Sequence, residues 1–426
     1  MKDFLFSFKK DDYYKIIQIF GFKIKVCDYK KKLKAIENEQ KNLLDTVNKS
    51  AVQIYDRAYD IDNSIIALYL RLNSYITPKK FNVNDLFSKK VRPLNIEYLG
   101  SNTGYIEYLF QNLQGTFDNT QKTEENPNFF YMGGIYPSRE HTHIISEAMK
   151  RNEKIYIIED CFFRSIFSHV WDVSPKLKKS IGYTIDDITH YIDASIPSRL
   201  ELMLNDKELI ITDEQRQRAR KCMDKILETH LSKYNNQPIF EPKIGREGVK
   251  KILVVDQSYG DWSIIKGHGS DEIFKLMLET AIKENPNADI IVKTHPDTMS
   301  GNRGGYYTGL KQHDNIYPMT DPINPISLVK YCDKVYVCTT QLGLEALICG
   351  KEVHTFGIPF YSGWGLTLDY QKCERRTNRR TLEELFYIAY IMYSHYVNPD
   401  KKCRCEIEEA MDYLLKLRDE YFNELK

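Results

Sequence analysis

The chain has 426 residues, with 60 Lys and Arg against 59 Asp and Glu, and its net charge of +1 gives no electrostatic case for a nucleic-acid partner. That length exceeds one ordinary core and implies two domains with an extension. Nine scattered cysteines without metal-ligand spacing, no apolar run of membrane-spanning length and no signal-peptide core ahead of the first charges set the expectation of a reduced, cytoplasmic protein.

Residues 1–93 read as an N-terminal extension. Within it, YYKIIQIFGFKIKV is patterned as a hairpin about Gly21. From Tyr29 to about Tyr75 the chain lacks Pro and Gly and is predicted to be a long helix. Leu33, Ile36, Leu43, Val47 and Ile54 approximate a heptad seam, interrupted by Gln40. Packing on its own domain is the plainer expectation. The sharper one is coiled-coil self-association or peripheral membrane contact through residues 1–75, supported by Lys9, Lys10, Lys23, Lys25 and Lys30 to Lys32.

Residues 94–240 then alternate strand and helix. The pattern predicts a helix over Tyr105–Leu113, the strand FFYMGGIY, a helix from Ser138 to Arg151, the strand KIYIIED and a helical block from Ser198 to about Tyr234. Residues 241–380 repeat the alternation with the strands KKILVVDQ, ADIIVKTHPD and DKVYVC, a helix from Ser270 to Glu284 and a short one near Ser327. Such alternation argues for parallel sheets covered by helices, so the fold class is α/β with two Rossmann-like domains. Residues 381–426 are predicted to be helical to the end and to brace the two domains.

Polar side chains collect where these strands end, which is where open parallel sheets bind ligands. KIYIIED ends in Glu159 and Asp160, with Arg164 close behind; the residues fit either a nucleophile or base beside an anion-binding cation, or a structural ion pair with a helix cap. Asp193 fits a supporting role, His190 a packing one, and Ser198 with Glu201 has capping-box spacing. VVDQSYGDW places Gln257 and Asp261 in a loop without GxGxxG, so a dinucleotide fingerprint is absent. Lys293, His295 and Pro296 leave the next strand, and His295 suits a phosphate or a leaving oxygen. Thr339, Thr340, Gln341 and Glu345 follow DKVYVC, with a helix start near Thr340 suited to an anion and Glu345 suited to ribose hydroxyls. The loop FGIPFYSGWG is expected to expose aromatics to a ligand or to the neighbouring domain. No DxD spacing occurs on these strands, so neither metal nor cofactor is expected.

Taken together in order, these segments resemble one known family. EDCFFRS resembles EDGFLRS, THYIDASIPSRLE resembles IYYDAxxPSxLE, DQSYGDWSI resembles GQxxDDASI, VKTHPDTMSGNRGG resembles YKPHPDVxxGxR, and Cys338–Asp369 resembles TSLxGFEALLxGKxVxxxGxPFYAGWGLTxD. RRTNRRTLEELF and YVNPD complete the series. These are motifs of the bacterial capsular-polysaccharide β-Kdo transferases of the KpsC/LipB type, and the likeness covers roughly Tyr131 to Glu409.

The resemblance implies a retaining glycosyltransferase with its two Rossmann-like domains in a GT-B-like arrangement. It implies CMP-β-Kdo as donor and a lipid-linked or oligosaccharide acceptor at the inner face of the cytoplasmic membrane. Asp160 is then the nucleophile of a double displacement, flanked by Glu159 and Arg164. His295 and Pro296 meet the CMP phosphate, supported by Lys293. Thr339, Thr340, Gln341 and Glu345 hold the ribose and phosphate, and Gln257 and Asp261 line the donor side. Cys161 stands where the family has glycine, Gly260–Asp261–Trp262 replaces most of an acidic pair, and one module stands where many members have two. A transferase or sugar-nucleotide enzyme with another donor, such as a UDP-sugar, and a non-catalytic capsule-assembly scaffold are the competing readings.

Overall fold

The computed structural model describes residues 155–169, 171–294 and 304–424 without a break. Before residue 155 it describes 8–10, 14–19, 22–27, 34, 38, 64–71, 73–74, 92–93, 104–109, 128–133, 142, 145–146 and 148. The chain divides into two compact units, residues 1–65 and 66–426.

In the first unit, β1 (Phe8–Lys10), β2 (Tyr14–Ile19) and β3 (Phe22–Cys27) form an antiparallel sheet in that order. Ile19 pairs with Phe22, so the hairpin predicted about Gly21 is present. Most of the helix predicted over 29–75, with its whole seam, lies outside the described residues; those described there are helical at 34, 38, 64–71 and 73–74.

The second unit opens with Ile66 and Leu70 buried. The Asn73 amide donates to the Asp187 carbonyl at 2.7 Å, and the Ile155 N–H donates to the Tyr69 hydroxyl at 3.0 Å. Then come β4 (Arg92–Pro93), β5 (Asn128–Gly133), β6 (Ile155–Asp160), α1 (Pro175–Lys178), β7 (Gly182–Asp186), α2 (Arg199–Asn205) and α3 (Asp213–Thr229). A full capping box between Thr212 and Gln215 starts α3.

The second sheet follows: β8 (Lys251–Val255), α4 (Trp262–Lys266), α5 (Asp271–Glu284), β9 (Asp289–Lys293), β10 (Ile316–Met319), α6 (Pro325–Tyr331), β11 (Lys334–Val337), α7 (Leu342–Ile348), β12 (Glu352–Thr355) and β13 (Leu368–Asp369). Its order is β10-β9-β8-β11-β12-β13 and every pairing is parallel. β8 and β9 are buried at every position, as continuous apolar strands covered on both faces must be. From β8 the chain winds outward to β9 and β10, then returns to β11 on the other side. The switch point therefore lies between β8 and β11, and their carboxyl ends are where an open parallel sheet binds ligands.

The chain next crosses back to the first sheet. α8 (Leu382–Phe386) runs into a π-helical stretch, Tyr387–Tyr393, and then β14 (Ser394–Asn398) and β15 (Cys403–Cys405) precede α9 (Ile407–Glu424). The first sheet has the order β15-β14-β7-β6-β5-β4. β4, β5 and β6 are parallel, but β7, β14 and β15 alternate in direction. Two expectations are corrected here. The first sheet is mixed, and the segment after Thr381 contributes two strands as well as helices. The reason is the free edge of β7: SHYVN, rich in aromatic and β-branched residues and wholly buried, covers it. Among the described residues, no helix is long and apolar enough to cross a membrane.

Candidate functional site

Two strand-end clusters face the junction of the sheets. The first is at the end of β6, where Glu159 pairs with Thr184 of β7 and Asp160 with Tyr183. Asp160 accepts from the Arg164 guanidinium, four residues on. Burial pushes the Asp160 carboxyl up, but the charges of Arg164 and Lys233 and hydrogen bonds from Arg164 and Ser180 outweigh it, so the group lies below its ordinary value. Arg164 is 2% exposed and also donates to the Ser165 hydroxyl at 2.8 Å and the Lys178 carbonyl at 2.5 Å. Its Nε and Nη1 are occupied by the protein. Glu159 receives the Asp160 N–H at 3.0 Å and lies 3.5 Å from His190 Nε2. His190 packs against Tyr191 with the rings tilted and accepts the Ile192 N–H through Nδ1, which suits the packing role expected of it.

Cys161 is fully buried, and burial pushes its thiol up to about 12. It is accommodated by Gly182 on the neighbouring strand: a Cβ there would stand 2.3 Å from the Cys161 sulfur and 2.4 Å from the Phe163 carbonyl oxygen.

The second cluster sits at the β8/β11 switch point. The Thr339 N–H donates to Gln257 Oε1 at 2.9 Å, and the Gln257 amide donates to Thr339 Oγ1 at 3.1 Å. Asp261 caps α4 through the Ser263 N–H at 2.8 Å. Asp256 accepts the Tyr306 N–H at 2.9 Å, drawing the 304–309 loop to the end of β8. Lys293 donates to the Asp321 carbonyl at 2.8 Å, and burial lowers its ammonium to about 8. His295 and Pro296 lie outside the described residues.

At the start of α7, the Thr340 carbonyl receives the Tyr361 hydroxyl at 2.6 Å, an approach that Gly343 permits, because a Cβ there would stand 2.1 Å from that oxygen. Glu345 is 4% exposed, accepts the Ser232 hydroxyl at 2.7 Å and is approached by the Gln341 amide at 3.4 Å. Burial pushes its carboxyl up to about 6.

Three sets of contacts hold the clusters together. The Gln341 amide donates to the Phe162 carbonyl at 2.9 Å, two residues beyond Asp160. Phe162 meets Phe360 at 4.9 Å and Tyr390 at 4.6 Å between ring centroids. Phe356, Phe360, Tyr361 and Trp364 are all buried, so the aromatic loop meets the neighbouring domain rather than presenting its rings to solvent. Finally, Arg375 and Arg376 both grip Glu201 at the start of α2, at 2.9 Å and 3.1 Å. Ser198 caps that helix as expected, but Glu201 serves the arginines rather than a reciprocal cap. Asp193 receives the Ser195 N–H at 2.9 Å and stands 3.5 Å from Lys266.

Sequence reasoning missed Ser232 and Lys233. Both were expected inside the helical block running to about Tyr234, but α3 ends at Thr229, His230 turns left-handed and they lie in the loop beyond it. Lys233 is half-buried near Glu159, Asp160 and Tyr191. Burial works against its charge, but Tyr191, Tyr234, Asp160 and Glu159 around it more than compensate and hold it above its ordinary value.

Residues 135–400 match the family model described as capsule polysaccharide biosynthesis protein. The chain is 40% identical over 271 residues to the capsule polysaccharide modification protein LipA of Neisseria meningitidis, covering 61% of this chain and 38% of that relative. It is 33% identical over 309 residues to the lipopolysaccharide-processing protein LpsZ of Rhizobium meliloti, covering 72% of this chain and 68% of LpsZ. Among solved structures, it resembles the β-Kdo 2,4 transferase of Thermosulfurimonas dismutans KpsC with a TM-score of 0.66 and 29% identity, over 77% of this chain and 98% of that one. The β-Kdo 2,7 transferase of the same KpsC gives a TM-score of 0.50 and 25% identity, over 69% and 87%. The two domains thus adopt the GT-B-like arrangement expected of them.

Proposed function

The chain belongs to the capsule polysaccharide biosynthesis protein family, and from that premise we propose that it is a retaining glycosyltransferase using CMP-β-Kdo. It moves β-Kdo to a lipid-linked or glycan acceptor, working peripherally at the inner face of the cytoplasmic membrane. The observation that supports this most is the hydrogen bond from Gln341 to the Phe162 carbonyl. It joins the nucleotide-type crevice of the second sheet to the loop leaving Asp160.

In this reading CMP occupies the β8/β11 crevice, lined by Gln257, Asp261, Lys293, Thr339, Thr340 and Gln341, with His295 and Pro296 at the phosphate. Glu345 stands behind them, joined to Ser232. Asp160, kept ionised by Arg164 and Lys233, attacks the anomeric carbon of Kdo as the bond to the CMP phosphate oxygen breaks. CMP leaves with that electron pair. An acceptor hydroxyl then attacks the same carbon, Asp160 departs as carboxylate, and the hydroxyl proton passes to Glu159. Two inversions give retention. The departing phosphate needs stabilisation more than protonation, and no step requires a metal.

The test offers the purified protein CMP-Kdo, generated in place, and a panel of UDP-sugars, with a Kdo-terminated glycolipid acceptor. Transfer from CMP-Kdo alone is expected. Turnover of a UDP-sugar without CMP-Kdo transfer would establish another donor, and no turnover with nucleotide binding lost would favour a scaffold.

A further inference from the structure

A donor carrying both a phosphate and a sugar carboxylate must approach Glu159 and Asp160 against their negative charge. A cation has to meet it there, and the cations expected from the sequence are engaged elsewhere. Arg164 directs Nε to Asp160 and Nη1 to the Ser165 hydroxyl and the Lys178 carbonyl. Lys293 is directed to the Asp321 carbonyl.

Lys233 is placed differently. Its segment, 231–235, is clamped between the two clusters. The Arg164 and Ser165 N–H groups donate to the Lys233 carbonyl at 3.3 Å and 3.4 Å. The Asn235 amide donates to the Ser165 carbonyl at 3.1 Å, and the Asn235 N–H to the Ile166 carbonyl at 2.9 Å. On the other side, Ser232 is bonded to Glu345 of α7 at 2.7 Å. The backbone of Lys233 is therefore fixed, while its ammonium stands 5.9 Å from the Tyr234 ring centroid and makes no ion pair or hydrogen bond among the described residues. Its charge is balanced through space by Glu159 and Asp160, with no hydrogen-bonded anion on the ammonium itself.

We propose that Lys233 binds an oxyanion of the donor, its sugar carboxylate or its phosphate, beside Asp160. The inference rests on the acidic-donor reading above, and where the bound group is the carboxylate it makes Lys233 a determinant of preference for acidic sugars. Bound there, the oxyanion supplies the missing partner, and the ammonium offsets repulsion from Glu159 and Asp160.

The test compares Lys233→Gln and Lys233→Arg with wild type in the full chain, reading steady-state transfer from CMP-Kdo, CMP binding by calorimetry and thermal melting. Lys233→Gln is expected to lower kcat/KM about 100-fold with little change in melting. Lys233→Arg, which keeps the charge, is expected to recover most of that loss. CMP affinity falling in parallel identifies the phosphate as the bound group; unchanged CMP affinity identifies the carboxylate. Transfer and CMP binding both within about threefold of wild type in Lys233→Gln would overturn the proposal. So would equal losses in both variants accompanied by lowered melting, the mark of a structural role. Should wild type use another sugar nucleotide, the donor reading fails by itself. Lys233 is then judged by binding of that donor's nucleotide and by the two variants on that donor, with the same thresholds.

Discussion

At the scale of single residues, charge is distributed unevenly across the junction. Asp160 keeps its charge because a buried guanidinium and a nearby ammonium outweigh its desolvation. Glu345, buried against Ser232 without a cation in hydrogen-bond contact, goes the other way, from an ordinary value near 4.5 to about 6. A raised folded-state value means stability that is complete below about pH 4.5 and lost as pH rises through 6. Glu345→Gln removes that dependence. The stability of wild type relative to the variant is expected to fall by about 2 kcal/mol between roughly pH 4 and 7, read from urea unfolding at several pH values. Parallel stability profiles would show that Glu345 titrates normally. The strand-end positions of Glu159, Asp160, Gln257 and Thr339 were legible because buried apolar runs ending in polar residues mark a sheet's carboxyl edge, whereas the pairing of Gln257 with Thr339 was not. The direction in which Arg164 spends its donors was not: EDCFFRS fits an ion pair and an anion site equally well, and the carbonyl of Lys178, which decides it, is distant in sequence.

At the scale of elements, α7 and the aromatic loop form one device. Gly343 leaves room for Tyr361, Tyr361 fixes the Thr340 carbonyl, and Gln341 beside it reaches Phe162. Gly343→Ala is expected to lower stability by about 1–3 kcal/mol, measured by thermal or denaturant melts, and to weaken CMP binding as the start of α7 moves. Unaltered melting would mean the Tyr361 ring can shift freely. Most elements of the second sheet were visible as continuous apolar strands and capped helices. The turned direction of β7 and the strands β14 and β15 were not, because strand partners are chosen by edges that only the tertiary structure creates. Burial of the aromatic loop was hidden for the same reason: its partners Phe162 and Tyr191 come from separate segments of the other domain.

At the scale of the whole molecule, the boundary near Ile66 matters more than the composition of the extension. Removal of residues 1–65 is expected to leave the melting of the remainder almost unchanged. Removal of residues 1–75 also takes buried Ile66 and Leu70 and the Asn73 bond to Asp187, and should cost about 4 kcal/mol or more in urea unfolding. Equal stability of the two truncations would place the boundary elsewhere. The crossing segment that brings β14 and β15 back to the first sheet, with the grip of Arg375 and Arg376 on Glu201, ties the two sheets into one unit around Asp160. The most direct test of the chemistry assigned to that position is intact-mass and peptide analysis of wild type and Asp160→Ala after incubation with CMP-Kdo and no acceptor. A Kdo adduct is expected on the peptide carrying Asp160, discharged when acceptor is added, with an unmodified Asp160→Ala that still binds CMP. Near-normal transfer by Asp160→Ala, or an adduct mapped to another residue, would contradict that chemistry.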